Sequence, residues 1–253
     1  GSHYDLPIAL GLMAALGAIP SDALDGYMAV GELGLDGRLA ATPGVLPAAI
    51  AAAARDLGII CAEAAGPEAA WAGDDIEIIA PDSLLALVNH LGGYQLCSRP
   101  QARRRLERAG LPDLSEVRGQ EVARRALEVA AAGGHNLLMV GPPGAGKSML
   151  ASRLPSILPP LSPRELLDVS MIQSIAGELA DGALSDRRPF RQPHHSASMA
   201  ALVGGGLKIR PGEASLAHNG VLFLDELPEF TPSVLLKLAK FCSEAQCSAL
   251  SNN

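Results

Sequence analysis

The feature that most constrains the fold of this chain is a glycine-rich segment that follows a short apolar run. Residues 135–140 read His-Asn-Leu-Leu-Met-Val, and residues 141–148 read Gly-Pro-Pro-Gly-Ala-Gly-Lys-Ser. Residues 149–154 predict a helix directly after this segment. The segment matches the pattern GxxxxGK(S/T), which is informative when it lies between a strand and a helix. We therefore predict a strand, a phosphate-binding loop and a helix in that order.

The residue types of this loop suit the phosphates of a bound nucleotide. Glycines let backbone N–H groups approach phosphate oxygens without a Cβ in the way, and the following helix adds its positive dipole end. Lys147 is predicted to bridge the β- and γ-phosphates as a catalytic residue, and Ser148 to ligate Mg²⁺. The predicted nucleotide-binding residues of the loop are Gly141, Pro142, Pro143, Gly144, Ala145, Gly146, Lys147, Ser148 and Met149.

A second apolar run ends in two carboxylates. Residues 221–226 read Val-Leu-Phe-Leu-Asp-Glu, the pattern of a buried strand with acidic side chains at its carboxyl end. We predict that Asp225 joins the Mg²⁺ shell and that Glu226 is a catalytic residue that orients a water. Taken alone, the run is equally consistent with an ordinary strand end. Paired with the glycine-rich loop, it predicts nucleotide hydrolysis with ATP and Mg²⁺ as cofactors.

Composition changes along the chain and predicts its domain organisation. Residues 1–92 are rich in Ala, Leu and Gly and predict an α+β module of small helices on a sheet. Residues 93–114 form a basic linker, predicted to be helical over 99–108, which either is simply solvated or contacts phosphate or a neighbouring subunit. Residues 115–253 alternate helices and strands in the manner of a parallel α/β sheet. The strands predicted in the first module lie at 27–33, 37–41, 59–62 and 76–79.

Charge and cysteine content limit the partners. The formal net charge of −7 offers no chain-wide positive field, so any nucleic-acid contact must use a local patch. The four cysteines form no CxxC pair, which favours reduced thiols in a cytoplasmic protein. The most apolar stretch, residues 6–19, is too short to cross a bilayer, which takes about 20 residues. We therefore expect no membrane partner.

Several longer motifs accompany the loop in a fixed order. Residues 113–120 read Asp-Leu-Ser-Glu-Val-Arg-Gly-Gln, residues 188–195 read Arg-Pro-Phe-Arg-Gln-Pro-His-His, and residues 211–220 read Pro-Gly-Glu-Ala-Ser-Leu-Ala-His-Asn-Gly. With these motifs, nearly all of residues 1–230 resembles the AAA+ ATPases related to the magnesium chelatase I subunit, and most closely the ComM/YifB branch. From the first motif we also expect Val117 and Gly119 to contact the nucleotide.

The resemblance implies an α/β fold in which an incomplete P-loop AAA+ parallel-sheet core follows a partial α+β domain similar to the Lon protease domain, of ribosomal S5 domain 2-like fold. Lon-type proteolysis needs a serine activated by a lysine. Matching the motifs places Asp5 and Ala48 at those positions, so we expect a non-proteolytic domain. The resemblance further implies a self-associating ring, expected to be a hexamer, that translocates on or remodels branched DNA in recombination or natural transformation.

The family pattern breaks after Phe230. Only 28 residues follow Asp225, so we expect the sensor strand, the arginine finger and the helical lid to be missing from a chain truncated at both ends. The tail, residues 243–253, resembles nothing in the family. We accordingly expect negligible ATP turnover by this chain. Two alternatives stay open, namely the ATPase subunit of a metal chelatase and a non-hydrolysing nucleotide-binding fragment.

Two further features have open interpretations. His194 and His195, with His218, are candidate zinc ligands, but neighbouring side chains on an extended segment point to opposite sides, which favours a structural or nucleotide-communication role. The glycine-rich segment 203–212 predicts a loop or hairpin insertion. In the related ATPases such insertions face a ring pore, so Lys208 and Arg210 are candidate contacts to DNA phosphates. An ordinary exposed loop explains this segment equally well.

Overall fold

The computed structural model describes residues 3–105, 112–206, 209–244 and 248–252. Two compact units make up the chain: residues 1–105 with 173–184 form the first, and residues 106–172 with 185–253 form the second. The inclusion of residues 173–184 in the first unit is a feature that the sequence patterns do not predict.

Helices and short strands alternate through the described residues. The α-helices are α1 (Asp5–Ala15), α2 (Val45–Ala53), α3 (Gly66–Ala69), α4 (Leu84–Leu91), α5 (Glu121–Gly133), α6 (Lys147–Ala151), α7 (Pro163–Ala176), α8 (Met199–Val203), α9 (Glu213–Leu216) and α10 (Pro232–Glu244). The strands are β1 (Tyr27–Ala29), β2 (Glu32–Leu33), β3 (Leu39–Ala40), β4 (Gly58–Ile60), β5 (Ile78–Ile79), β6 (Arg103–Arg105), β7 (Leu137–Met139), β8 (Ala183–Ser185), β9 (Phe190–Arg191), β10 (Val221–Leu224) and β11 (Ser248–Asn252).

The first unit is built on a parallel sheet with the strand order β1-β4-β5. Ile60 of β4 lies in register with Ala29 of β1 and with Ile79 of β5. Helix α2 packs on this sheet because its alanines, including the fully buried Ala49 and Ala52, allow close approach. Strands β2 and β3 form a separate antiparallel pair. Helices thus pack on a sheet in this unit, and strands lie at each of the four predicted positions.

A buried carboxylate holds residues 173–184 in the first unit. Oε1 of Glu68 accepts hydrogen bonds from the Leu46 N–H (2.9 Å) and from the Ser174 hydroxyl (2.5 Å). The Gly44 N–H also donates to the Ser174 carbonyl at 2.9 Å. Because Glu68 and Ser174 are only 7% and 1% exposed, water cannot replace these bonds at little cost. One side chain thus joins the start of α2, the helix α3 and the end of α7.

The prediction of a helix over residues 99–108 was wrong for the part that the structure describes. Arg103–Arg105 is the exposed strand β6, which pairs with β8. Arg99 precedes Pro100, and a residue before proline disfavours the helical region. The Arg99 guanidinium also donates to the carbonyls of Ile76 (2.5 Å) and Gly73 (2.9 Å), which holds the segment extended. Residues 106–111 lie outside the described residues.

The second unit contains a parallel sheet with the strand order β7-β11-β10-β9. All four residues of β10 are buried, which explains the unbroken apolar run in the sequence. Phe223 of β10 packs with Leu127 of α5 and Leu150 of α6 in the core beneath the sheet. Because the strands are parallel, the segments that follow β7, β9 and β10 leave the sheet at the same edge.

The sensor strand was expected to be missing after Asp225, yet a further strand of the sheet is present there. Strand β11, from the tail of the chain, lies between β7 and β10, with Leu250 in register with Leu137 and with Phe223. A central parallel strand is held by backbone hydrogen bonds, which any non-proline residues can make. Motif matching therefore gave no sign of it.

Among the described residues, no helix is long and apolar enough to span a membrane.

Candidate nucleotide-binding site

The glycine-rich loop has the predicted order of elements, with β7 before it and α6 starting at Lys147. Gly144 and Gly146 have φ values of +78° and +82°, which residues with a Cβ rarely adopt. A Cβ on Gly146 would also lie 3.1 Å from Nε2 of Gln120. The loop therefore needs glycine at both positions. Exposed loop residues are Pro142, Pro143, Gly144, Ser148 and Met149, whereas Gly141, Ala145, Gly146 and Lys147 are half-buried.

The ammonium group of Lys147 lies inside the loop. Its Nζ donates to the carbonyls of Gly141 (2.7 Å) and Pro142 (3.2 Å). These contacts bring a positive charge and the backbone of residues 141–148 together at the N-terminus of α6. An anion placed there would meet a charge and several N–H donors at once.

Ser148 and Asp225 meet at the carboxyl edge of the sheet. The Ser148 hydroxyl donates to Oδ2 of Asp225 at 2.9 Å, although the residues are 77 positions apart. Asp225 directly follows β10, and Ser148 lies in α6, which follows β7. A hydroxyl and a carboxylate oxygen are the ligand types that Mg²⁺ prefers. This pair of oxygens beside Lys147 therefore fits a magnesium ion bound to phosphates.

Glu226 has a left-handed backbone, with φ +54°. Its Oε2 lies 3.6 Å from Nδ1 of His195, which follows β9. The His195 ring also packs beside His194, with 4.1 Å between ring centroids, and against the edge of Phe230. Sequence reasoning did not predict the contact between His195 and Glu226. Their positions just after two neighbouring parallel strands were the available signal.

The two adjacent histidine rings do not point to opposite sides, so the prediction of opposite orientations was wrong. The chain turns at this point, with the Ala197 N–H donating to the His194 carbonyl at 2.9 Å, and a turn removes the alternation of an extended strand. Across the described residues, no group of three or more histidine, cysteine or acidic side chains could hold a metal ion. A role of these histidines in nucleotide communication stays a prediction.

Val117 and Gly119, the two residues predicted from the motif at residues 113–120, lie in different surroundings. Gly119, with φ +69°, lines a cavity of about 690 Å³ that also touches Ala145 and Lys147. Val117 is 4% exposed and packs in the hydrophobic core with Leu150. Val117 thus belongs to the core that also contains Leu150 of α6, whereas Gly119 faces the cavity. Gln120, the next residue, also lines this cavity and was missing from the predicted set.

Other predicted positions lie away from this site in sequence and stay predictions. Asp5 is the first residue of α1, and Ala48 lies half-buried within α2. Arg210 is exposed, and its backbone bridges to Gly205 in the glycine-rich segment. Lys208 lies outside the described residues.

Comparisons with known proteins bear on the family. A family model described as magnesium chelatase, subunit ChlI, matches residues 113–247, and a second, subunit ChlI of Mg-chelatase, matches residues 1–64. The protein YifB of Escherichia coli is 48% identical over 91% of this chain, and competence protein ComM of Haemophilus influenzae is 43% identical over 93% of it. The chain belongs to the magnesium chelatase-like ComM/YifB family. The first match spans more than half of the chain, and it includes both the glycine-rich loop and the strand that ends at Asp225.

This ComM/YifB chain spans about half the length of its curated relatives, 45% of YifB and 47% of ComM. Among solved structures, a complex of the magnesium chelatase subunits BchI and BchD is similar over 56% of this chain and 55% of that chain, with a TM-score of 0.44 and 19% identity.

Proposed function

We propose that the second unit of this ComM/YifB protein binds Mg·ATP or Mg·ADP. The observation that carries the proposal is the convergence of a charge, a hydroxyl and a carboxylate at one loop: Lys147, Ser148 and Asp225. The alternative is an ordinary glycine-rich turn with a solvated lysine. Such a turn gives no reason for Ser148 to contact Asp225, which lies at the end of a distant strand. The family membership supports the same conclusion.

The residues of the loop have separate roles in this proposal. Lys147 exchanges its bonds to the Gly141 and Pro142 carbonyls for bonds to phosphate oxygens. Ser148 and Asp225, whose oxygens are hydrogen-bonded to each other, would hold Mg²⁺, and the ion would neutralise charge on the phosphates. Gly119 borders the cavity that would receive the rest of the nucleotide.

Glu226 is proposed to orient a water for hydrolysis in the longer family proteins. Its side chain is 67% exposed, and the carboxylate lies beside His195. We expect Glu226→Gln to spare nucleotide affinity, because only the water-orienting carboxylate is lost and the shape of the side chain is kept. Turnover by a full-length relative should fall by at least about 100-fold with this change, as measured by phosphate release. Unchanged turnover would contradict the role.

For the whole protein we propose a cytoplasmic ring ATPase, expected to be a hexamer, that translocates on or remodels branched DNA in recombination or natural transformation. The sequence resemblance and the name of the Haemophilus influenzae relative, competence protein ComM, support this proposal. The description of the matching family model favours a second candidate, the ATPase subunit of a metal chelatase. ATP turnover by a full-length relative separates them, since DNA should stimulate the first and porphyrin the second.

The nucleotide proposal is tested on the chain itself by titration calorimetry with Mg·ADP. Lys147→Ala should weaken binding by at least about tenfold, because a charged hydrogen-bonding group is lost from the phosphates. Lys237→Ala is the matched control, since Lys237 is an exposed lysine on α10 of the same unit. Equal affinities of the wild type and Lys147→Ala, or absence of binding by the wild type, would overturn the proposal.

A further inference from the structure

Gln120 occupies the last position before α5, yet its side chain does not cap that helix. The Gln120 carbonyl accepts the first helical hydrogen bond, from the Arg124 N–H at 2.9 Å. The side chain instead donates from Nε2 to the carbonyl of Ala145 at 3.1 Å, across 25 positions of sequence. The carboxamide therefore serves the glycine-rich loop rather than the helix that Gln120 begins.

The backbone of Gln120 is held in an unfavourable conformation. Its φ and ψ are +50° and +40°, the left-handed region, and the preceding Gly119 also has a positive φ. A residue other than glycine is strained in this region and is retained where the surroundings require it. Here the conformation aims the Gln120 side chain at the loop.

The contact fixes the orientation of one peptide group. The Ala145 carbonyl and the Gly146 N–H belong to the same planar trans peptide, so they point in opposite directions. When Gln120 holds the carbonyl, the N–H of Gly146 is turned to the side away from Gln120. Gly146 directly precedes Lys147, so this N–H lies at the N-terminus of α6.

We propose that Gln120 is a positioning residue of the nucleotide site, whose carboxamide orients the Ala145–Gly146 peptide so that the Gly146 N–H is available to a phosphate. This inference rests on the proposed nucleotide function. The lack of a Cβ on Gly146 is part of the same arrangement, because a Cβ there would lie 3.1 Å from Nε2 of Gln120. Gln120 acts through the loop and needs no contact with the reacting atoms.

Two variants test separately the length of the Gln120 side chain and its hydrogen-bond donor. Gln120→Asn keeps the amide and tolerates a left-handed backbone, but it is one methylene too short for Ala145. Gln120→Glu keeps the length but places an acceptor against the Ala145 carbonyl. Both should weaken Mg·ADP binding roughly three- to tenfold, the value of one hydrogen bond, with an unchanged melting temperature. Gln101→Ala, an exposed glutamine of the first unit, is the control and should bind as the wild type does.

Hydrogen exchange of the nucleotide-free protein provides a readout that a purely structural role would not move. The peptide spanning residues 141–148 should exchange faster in both variants, whereas the buried strand β10 should not change. Wild-type affinity in either variant, or unchanged exchange of that peptide, would overturn the role of Gln120 while leaving the nucleotide proposal intact. Failure of the wild type to bind Mg·ADP would overturn both.

Discussion

Ser148 and Asp225 share a hydrogen bond of 2.9 Å at the edge of the sheet where β7 and β10 both end. Each comes from a motif that is ambiguous on its own, because glycine-rich turns and acidic strand ends are common. Their contact depends on two strands running parallel in one sheet, with β11 between them. The contact between Ser148 and Asp225 is therefore stronger support for a nucleotide-binding site than either motif alone.

Substitution at this pair should change how nucleotide affinity depends on Mg²⁺. Wild-type affinity for ADP should rise when Mg²⁺ is added, and this gain should shrink about tenfold in Ser148→Ala and Asp225→Asn. The first change removes the hydroxyl ligand, and the second replaces a charged carboxylate by a neutral amide. Calorimetry with and without Mg²⁺ measures the effect. Ser152→Ala is the control, since the Ser152 hydroxyl donates to the Met149 carbonyl within the same turn of the chain. An undiminished Mg²⁺ effect in both site variants would contradict the assignment.

Removal of the buried Glu68 carboxylate should destabilise the first unit. Glu68→Ala leaves the Leu46 N–H and the Ser174 hydroxyl without their shared acceptor, so the free energy of unfolding should fall by about 2–4 kcal/mol. Glu68→Gln retains a carbonyl oxygen and should cost less. Denaturant unfolding followed by fluorescence of Trp71, the single tryptophan of the chain, reports on this unit. The exposed Glu63→Ala should stay within about 0.5 kcal/mol of the wild type.

The start of α7 should show a specific pH dependence. Hydrogen bonds from Ser162, followed by the Arg188 guanidinium, hold the pKa of Glu165 below its usual value. A carboxyl group with a lowered folded pKa adds stability above its unfolded pKa, and this contribution disappears as the pH falls through the folded pKa. Glu165→Gln should therefore reduce the free energy of unfolding by about 0.5–1.5 kcal/mol at pH 7.

The difference between Glu165→Gln and the wild type should vanish at acidic pH, once the pH has fallen through the lowered folded pKa of Glu165 and the carboxyl group is protonated. Denaturant unfolding of the second unit across this pH range measures it. Glu128→Gln removes an exposed partner of Arg125 and should have almost no effect at either pH. If Glu165→Gln lowered the free energy of unfolding by the same amount at every pH, the shape of the Glu165 side chain, and not its charge, would explain its contribution to stability.

The first unit should not cleave peptide bonds. Asp5 cannot act as a hydroxyl nucleophile, and Ala48 cannot supply an amine to activate one. Incubation with unfolded casein, followed by gel electrophoresis, should show no fragments beyond those of a mock purification. Cleavage that co-purifies with the chain would contradict this prediction, and its loss in Asp5→Ala would show that Asp5 itself takes part in catalysis.

Local sequence patterns predict the elements whose structure depends on residues close together in the chain. The glycine-rich loop between β7 and α6 is one case, because Gly144 and Gly146 alone permit the required φ values. The strand that ends at Asp225 is another, because a continuous apolar run fits a strand buried on both faces. Local conformational preference and burial suffice for such elements, so the pattern predicts them.

Tertiary structure alone decided the contacts between segments distant in sequence. Three contacts join residues separated by at least 25 positions. They are the pairing of β11 with its neighbouring strands, the hydrogen bond from Gln120 to Ala145 and the hydrogen bond from Ser174 to Glu68. No local pattern encodes these pairs, since each depends on which surfaces remain available after the strands have paired and the cores have packed. Most residue types can make the backbone hydrogen bonds of a strand, and a buried carboxylate can accept a hydrogen bond from any donor within reach. The packed geometry, and not the residue type, therefore decides which residues pair.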